Sequence, residues 1–239
     1  MTYSYATHAS CPKCQTIYSI EEVQQLCSCG SPLLIKYNLN TLKKNWDRDK
    51  LGNRINSLWR YHELLPIKEE KNIVTQGEGM TPLLHLEKLG ERLDLSLLYM
   101  KDEGIIPTGS FKARGAAVGV SKAKELGIQK LAIPTNGNAG AAWAMYATKA
   151  GIETMIVMPL DAPLVSDEEI QILQREVTTL EGAFICPEGA ATFAAAKKLR
   201  EEGWIGRDEK VICLNTGLGI KYADLVSEEP LTILEPSEL

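Results

Sequence analysis

Twice along this chain an apolar strand runs into a glycine-containing turn and then into a helix, and this grammar restricts the fold more than any other feature. The second copy is the clearer. KLAIPT (130–135) reads as a strand, NGNAG (136–140) as a turn, and AAWAMYATKAG as an alanine-rich helix ending at Gly151, after which GIETMIVMP supplies another strand. Strand, helix, strand over Gly127 to Pro159 is a β-α-β unit, whose strands run parallel because the helix carries the chain back. Apolar runs in such a unit are expected to be buried. The expected fold class is α/β.

The first copy begins with the apolar run Leu97 to Met100, expected to be a buried strand, and turns at Pro107, Thr108 and Gly109. Ser110 suits an N-cap, and a helix is predicted from about Phe111 to Leu126, stopped by Gly127 at the C′ position. Lys112 then falls in the first helical turn, where the macrodipole disfavours an ammonium and leaves the neutral amine more available. A neutral amine is what a Schiff-base lysine offers a carbonyl; the plainer reading is a surface lysine near a helix start. In the second copy the backbone N–H groups of the NGNAG turn, with the amides of Asn136 and Asn138, make a site for a carboxylate or phosphate. Ligands in parallel sheets bind where strand ends meet helix starts.

Elsewhere, Gly77, Gly79 and Pro82 predict a tight loop before a helix, with the Thr81 hydroxyl on it. Trp46, Trp59 and Tyr61 read as packing anchors of a connecting arm, and His62 and His85 as structural or exposed. Ser166 is expected to cap a helix with an acidic first turn. A further helix should start at Pro187 and end near Gly203, followed by the strand KVICLN and the turn TGLG. From about Asp224 the chain is acidic and proline-containing and reads as a loosely held tail.

Six cysteines fall into two sets. Cys11, Cys14, Cys27 and Cys29 form a Cys-x-x-Cys and a Cys-x-Cys separated by twelve residues, which suits tetrahedral Zn²⁺ or, alternatively, redox or plain structural thiols. Cys186 and Cys213 lie singly in apolar surroundings and read as small buried residues. A net charge of -5 gives no reason to expect nucleic acid or an anionic membrane as partner. The first residues lack a basic segment followed by an apolar core, and no apolar run approaches spanning length. A cytoplasmic enzyme or binding protein is expected.

In their order along the chain, CPKC with CSCG, SLWRY, GEGMTPL, KDEGIIPTGSFKARG, IPTNGNAGAA, IVMPLDAP, ICPEGAA and LNTGLGIKY resemble the threonine synthases, within the fold type II pyridoxal-phosphate-dependent enzymes. The resemblance reaches to about Tyr222, with a long internal deletion between Pro163 and Leu164. It implies a three-layer parallel-sheet architecture, shortened, with an N-terminal Cys-knuckle extension: residues 1–40 as the knuckle, 41–222 as the enzyme fold and 223–239 as the tail.

By the same resemblance Lys112 is the lysine that holds pyridoxal 5′-phosphate as a Schiff base, flanked by Phe111. Asn138 bonds the cofactor's 3′-oxygen, and the Thr216 hydroxyl faces the pyridine nitrogen. Thr81, Ser110, Thr135, Asn136, Gly137 and Ala139 lie toward the substrate. The implied reaction turns O-phospho-L-homoserine and water into L-threonine and phosphate, in a homodimer acting on a small-molecule amino acid, with Zn as a structural ion. Ile106 stands where the family usually has asparagine. The deleted region is the one that carries the glycine-rich phosphate loop, and the chain has no Gly-Gly-Gly run to replace it. The resemblance therefore also admits an impaired relative that binds the cofactor weakly or not at all, or another fold type II lyase or dehydratase.

Overall fold

The computed structural model describes residues 3–135, 137–157 and 168–225. In chain order the regular elements are β1 (Ala6–Ser10), β2 (Ile17–Tyr18), β3 (Leu34–Tyr37), α1 (Leu39–Asn45), β4 (Leu83–His85), α2 (Glu87–Arg92), β5 (Leu97–Asp102), α3 (Lys112–Glu125), β6 (Lys130–Pro134), α4 (Asn138–Ala150), β7 (Glu153–Val157), α5 (Glu168–Glu181), α6 (Pro187–Glu201) and β8 (Lys210–Asn215). The mixture is α/β, with parallel strand pairs. Two compact units share the chain: Met1–Pro82 with Ile105–Pro163, and Leu83–Gly104 with Leu164–Leu239.

In the first unit, β1 lies between β2 and β3 in an antiparallel sheet. Among the described residues its core is Ala6, Ala9 and Ile20, with Tyr18, Leu33, Ile35 and Tyr37 partly buried against it, little apolar surface to hold a lobe together. The β-α-β unit is formed as its sequence demands. β6 and β7 pair in parallel from Lys130↔Glu153 to Pro134↔Val157, and α4 ends at Gly151 in the left-handed conformation, φ 71°. Gly127, φ 71°, ends α3 with amide bonds back to Lys124 and, from Ile128, to Ala123.

Helices α3 and α4 pack closely because their facing residues are small. A methyl on Gly119 would stand 2.4 Å from the Trp143 ring. Ala113, Ala116, Ala117, Ala142 and Ala147 join Trp59, Ile67, Ile106 and Tyr146 in the core of this unit. Ile106 is thus a core residue, and its carbonyl takes the Gly109 amide to close the turn before α3.

Several expectations are corrected here. The helix N-cap is Phe111, without a side-chain cap bond; Ser110 is extended and its hydroxyl is buried instead of capping. The loop at Gly77 and Gly79 leads first into strand β4, and only then into α2. Trp59 is buried, but Trp46 is half-buried and Tyr61 is 43% exposed, so only one of the three aromatics anchors the arm. Strands β6 and β7 are half-buried, and on one face alone. Leu131, Ile133, Thr154 and Ile156 point inward, while Met155 and Val157 are 66% and 52% exposed, because α4 packs on one side of the ribbon.

The second unit centres on β5, paired antiparallel with β4 and parallel with β8 from Leu97↔Lys210 to Asp102↔Asn215. Leu98 and Met100 point into a core built with Leu89, Leu95, Leu173, Val177, Ile185 and Phe193. Helix α6 starts at Pro187, in the first position where its missing N–H costs nothing, and stops before Gly203, φ 76°. Ser166, the IVMPLDAP segment beyond Val157 and the tail beyond Leu225 lie outside the described residues.

Glu125, near the end of α3, accepts hydrogen bonds from the amides of Lys68 and Glu69 and from Lys122 Nζ. Burial alone would push its carboxyl up, but Lys122 and the two amides outweigh burial and hold it below the ordinary carboxylate value. A depressed carboxyl stabilises above its unfolded pKa of about 4.3 and loses that contribution as pH falls through the folded value. Glu125→Gln should therefore lower urea stability by about 1–2 kcal/mol at pH 7 and shrink the stability lost between neutral and acid pH; a variant that loses stability on acidification as steeply as the parent refutes this.

Candidate functional site

In the first unit, Pro107, Thr108 and Gly109 form a 3-10 turn in which Thr108 takes a left-handed φ of 72°. A non-glycine residue there stores backbone strain of about 1–3 kcal/mol, a cost that functional sites commonly carry. Ser110 follows with its hydroxyl buried and without a hydrogen-bond partner among the described residues. Phe111 is partly exposed, and Lys112 opens α3 with its Nζ 4.5 Å from the Phe111 ring centroid. Lys112 is exposed and has no ion pair among the described residues.

The turn after β6 is organised by one hydroxyl. Thr135 Oγ1 accepts the amides of Gly137 and Gly140, each at 3.1 Å, which fixes the entry into α4. Gly137 has φ 147° and ψ -89°, a conformation open to glycine. Asn138 is the first residue of α4, and it and Ala139 are half-buried. Helix α4 packs against the Pro107–Gly109 turn as well as against α3, so the start of α3 and the start of α4 share one unit and one neighbourhood. Asn136 lies outside the described residues.

Thr81 is buried, and its hydroxyl accepts from Arg114 at 3.3 Å, two residues beyond Lys112 on α3. Arg114 was not singled out from the sequence. Its signal was there: two cations in one N-terminal turn oppose the helix dipole and call for facing acceptors. Thr216 belongs to the second unit. There its Oγ1 lies 3.3 Å from Cys186 Sγ, which also receives the Gly189 amide at 3.3 Å. Cys186 is therefore more than a space-filler; burial pushes its thiol up, keeping it a neutral S–H beside Thr216. Cys213, by contrast, is the small buried residue its surroundings predict, with a thiol pushed by burial up to about 11.

The four N-terminal cysteines converge, with all sulfur atoms within 4.8 Å of one another. Cys11 and Cys29 approach to 3.5 Å and Cys14 and Cys27 to 3.3 Å. Zn–S bonds of about 2.3 Å in a tetrahedron place sulfurs about 3.8 Å apart, inside this range. The Cys29 backbone N–H and then the Tyr18 hydroxyl, 3.3 Å away, hold the Cys27 thiol down at about 5, so this cluster favours the thiolate that a metal requires.

Residues 74–164 match the protein family described as pyridoxal-phosphate dependent enzyme. The chain is 40% identical over 149 residues to threonine synthase of Methanocaldococcus jannaschii, covering 62% of this chain and 37% of that protein. It is 42% identical over 153 residues to threonine synthase of Methanosarcina acetivorans, covering 64% of this chain and 37% of that one. The chain thus spans little more than a third of the length of these relatives. Among solved structures, the processed form of threonine deaminase isoform 2 from Solanum lycopersicum aligns over 75% of this chain and 88% of that chain, at 14% identity and a TM-score of 0.37, too distant to carry an argument.

Thr135→Val keeps the side-chain shape and removes the acceptor of two turn amides. It should cost about 1 kcal/mol in urea unfolding, as loss of a helix cap does, and speed hydrogen exchange at Gly137 and Gly140. Unchanged exchange there would mean that the hydroxyl does not hold the turn.

Proposed function

We propose, from the match of residues 74–164 to the family described as pyridoxal-phosphate dependent enzyme, that this chain holds pyridoxal 5′-phosphate at Lys112 and acts as a threonine synthase-like enzyme. The observation that carries the reading is the start of α3: an exposed amine with no acidic partner among the described residues, beside the buried, unpartnered Ser110 hydroxyl. An aldehyde-bearing cofactor suits that amine, and a polar group in the same place would satisfy the hydroxyl. When bound, the cofactor supplies an electron sink for charge developing at amino-acid carbons.

The protein's own residues would divide the rest of the work. Lys112 Nζ moves protons at the substrate carbons, and Phe111 shields one side of the amine. The Asn138 amide would hold the cofactor's 3′-oxygen, and Thr216 would offer a neutral hydroxyl to its ring nitrogen. Thr81, Ser110, Thr135, Asn136, Gly137 and Ala139 orient the substrate, the last four through the turn whose amides suit a carboxylate. The proposed net reaction consumes O-phospho-L-homoserine and water and yields L-threonine and phosphate.

The same reading takes the cysteine cluster as a structural Zn²⁺ site, since four thiolates leave no open position. It organises the chain as a metal lobe at 1–40, the enzyme fold at 41–222 and an acidic tail at 223–239. A cytoplasmic homodimer acting on small amino acids completes it. No helix among the described residues is long and apolar enough to cross a membrane.

A second reading is favoured by one fact: the family match ends at residue 164, and the relatives are far longer. In that reading the chain is a shortened relative that holds the cofactor weakly, the loss of two or three charge-assisted hydrogen bonds to its phosphate costing about 1.5–3 kcal/mol each. Borohydride reduction after incubation with pyridoxal phosphate, followed by peptide mapping, should mark Lys112 and give no label in Lys112→Ala. A label elsewhere or nowhere defeats the cofactor assignment. Phosphate released from O-phosphohomoserine supports the synthase; labelling without release supports the shortened relative, and turnover of serine or threonine instead points to a dehydratase.

Metal analysis should find one zinc per chain, lost in Cys14→Ser together with protease resistance of the first 40 residues. Metal-free protein that is equally resistant in both forms would exclude a structural ion.

A further inference from the structure

Arg60 sits in the 3-10 turn Leu58–Leu64, with its side chain packed inside the first unit and only 9% of the residue exposed. It lines an open cleft of about 660 Å³ with Tyr3, Arg54, His62, Glu70 and Thr75. A guanidinium has five N–H donors and no way to lose its charge, so when buried it is normally met by a carboxylate. Arg60 is not.

Its hydrogen bonds account for little of that demand. One terminal nitrogen donates to the Leu51 carbonyl. The other reaches Met80 Sδ at 3.0 Å, and a thioether is a weak acceptor. The Nε–H is buried and has no partner among the described residues. No ion pair to Arg60 exists among the described residues, although a carboxylate lies close by in sequence.

The nearby acids are committed elsewhere or stand off. Glu63 is claimed by Arg54 through two bonds, Nη1 to Oε2 at 2.8 Å and Nη2 to Oε1 at 2.5 Å. Glu78 is filled by four donors. Glu70, on the cleft's rim, is exposed and makes no ion pair with Arg60. Two arginines therefore line one cleft: Arg54 is paired with Glu63, and Arg60, the more buried, has no ion pair among the described residues.

We propose that this cleft is a binding site for a small oxyanion, a phosphate or a carboxylate group, taken by the Arg60 guanidinium, one of whose terminal nitrogens meets only the Met80 thioether. A guanidinium carries parallel N–H groups in the geometry that both anions bridge. Tyr3 offers the ligand a second donor. Its ring stacks on His62 with centroids 4.1 Å apart, and burial, followed by the charges of Glu70 and Glu63, pushes its phenol up to about 12, so it stays protonated. His62 is occupied at Nδ1 by the Tyr3 carbonyl, and Thr75 donates to Glu78, which leaves Arg60 as the anchor. None of the residues assigned to the cofactor or its substrate takes part, and the site stands whether or not that assignment holds.

The test uses the full chain without pyridoxal phosphate. Inorganic phosphate, acetate and chloride are titrated at matched ionic strength while the arginine Nε–H resonances are followed by ¹H–¹⁵N NMR. The Arg60 Nε–H should shift saturably with phosphate or acetate and not with chloride, and the anion acting at lower concentration identifies the ligand's head group. Arg60→Lys keeps the charge but loses the fork, and should weaken the more potent anion about tenfold or more, read by thermal shift. An Arg60 resonance unmoved by both anions overturns the proposal, and so does undiminished affinity in Arg60→Lys. Should that variant fail to fold, the wild-type titration decides alone.

Discussion

The Glu78 carboxylate organises the first unit. It is wholly buried, and each oxygen takes two donors: Trp59 Nε1 at 2.7 Å and Thr75 Oγ1 at 2.9 Å on Oε1, the Gln76 amide at 2.8 Å and the Tyr146 hydroxyl at 2.6 Å on Oε2. A buried carboxylate is tolerable only when its lone pairs are met in this way. Its own carbonyl takes the Leu58 amide, and the next position, Gly79, suits only glycine, since its φ is 145° and a side chain there would collide with the backbone of Ser57 and Leu58. One residue thereby joins the 3-10 turn carrying Trp59, the loop carrying Thr81 and the middle of α4. Burial and the bond to Glu78 both raise the Tyr146 phenol, which fixes it as a donor.

Much of this architecture is legible in the sequence because strand, turn and helix carry local signals. Gly127, Gly151 and Gly203 end helices as their position predicts, Pro187 starts one, and Lys112 does open its helix. What escapes is the part decided by tertiary contacts. Ser110 has the composition of a cap, yet packing turns its hydroxyl inward. Glu78 sits between two glycines that suggest an exposed loop, and a charge in that setting gives no periodic hint of burial. The apolar runs of β6 and β7 report strands correctly but do not report how many faces are covered.

The candidate site divides along the same line. Lys112, Asn138 and the turn between Thr135 and Ala139 follow from the strand–turn–helix grammar, and the cysteine spacing alone brings four sulfurs together. The partners that hold those residues come from distant segments, Arg114 on Thr81 and Cys186 on Thr216, and no local pattern links them. The small core of the N-terminal sheet, Ala6, Ala9 and Ile20, gives the proposed metal a structural purpose: an ion held by the four cysteines would tie together a lobe with little hydrophobic burial of its own.

The half-covered β6–β7 ribbon bears on how the protein behaves in bulk. Met155 and Val157 stand exposed on a two-stranded parallel pair whose outer edges meet no further strand among the described residues, a combination that natural sheets usually guard against with charge or cover. Lys130 and Glu153 provide that guard at one end only, where they pair across the strands. Self-association would therefore begin at the Val157 end of the ribbon. It would be worst near the sequence isoelectric point of about 5.4, where net repulsion between molecules vanishes.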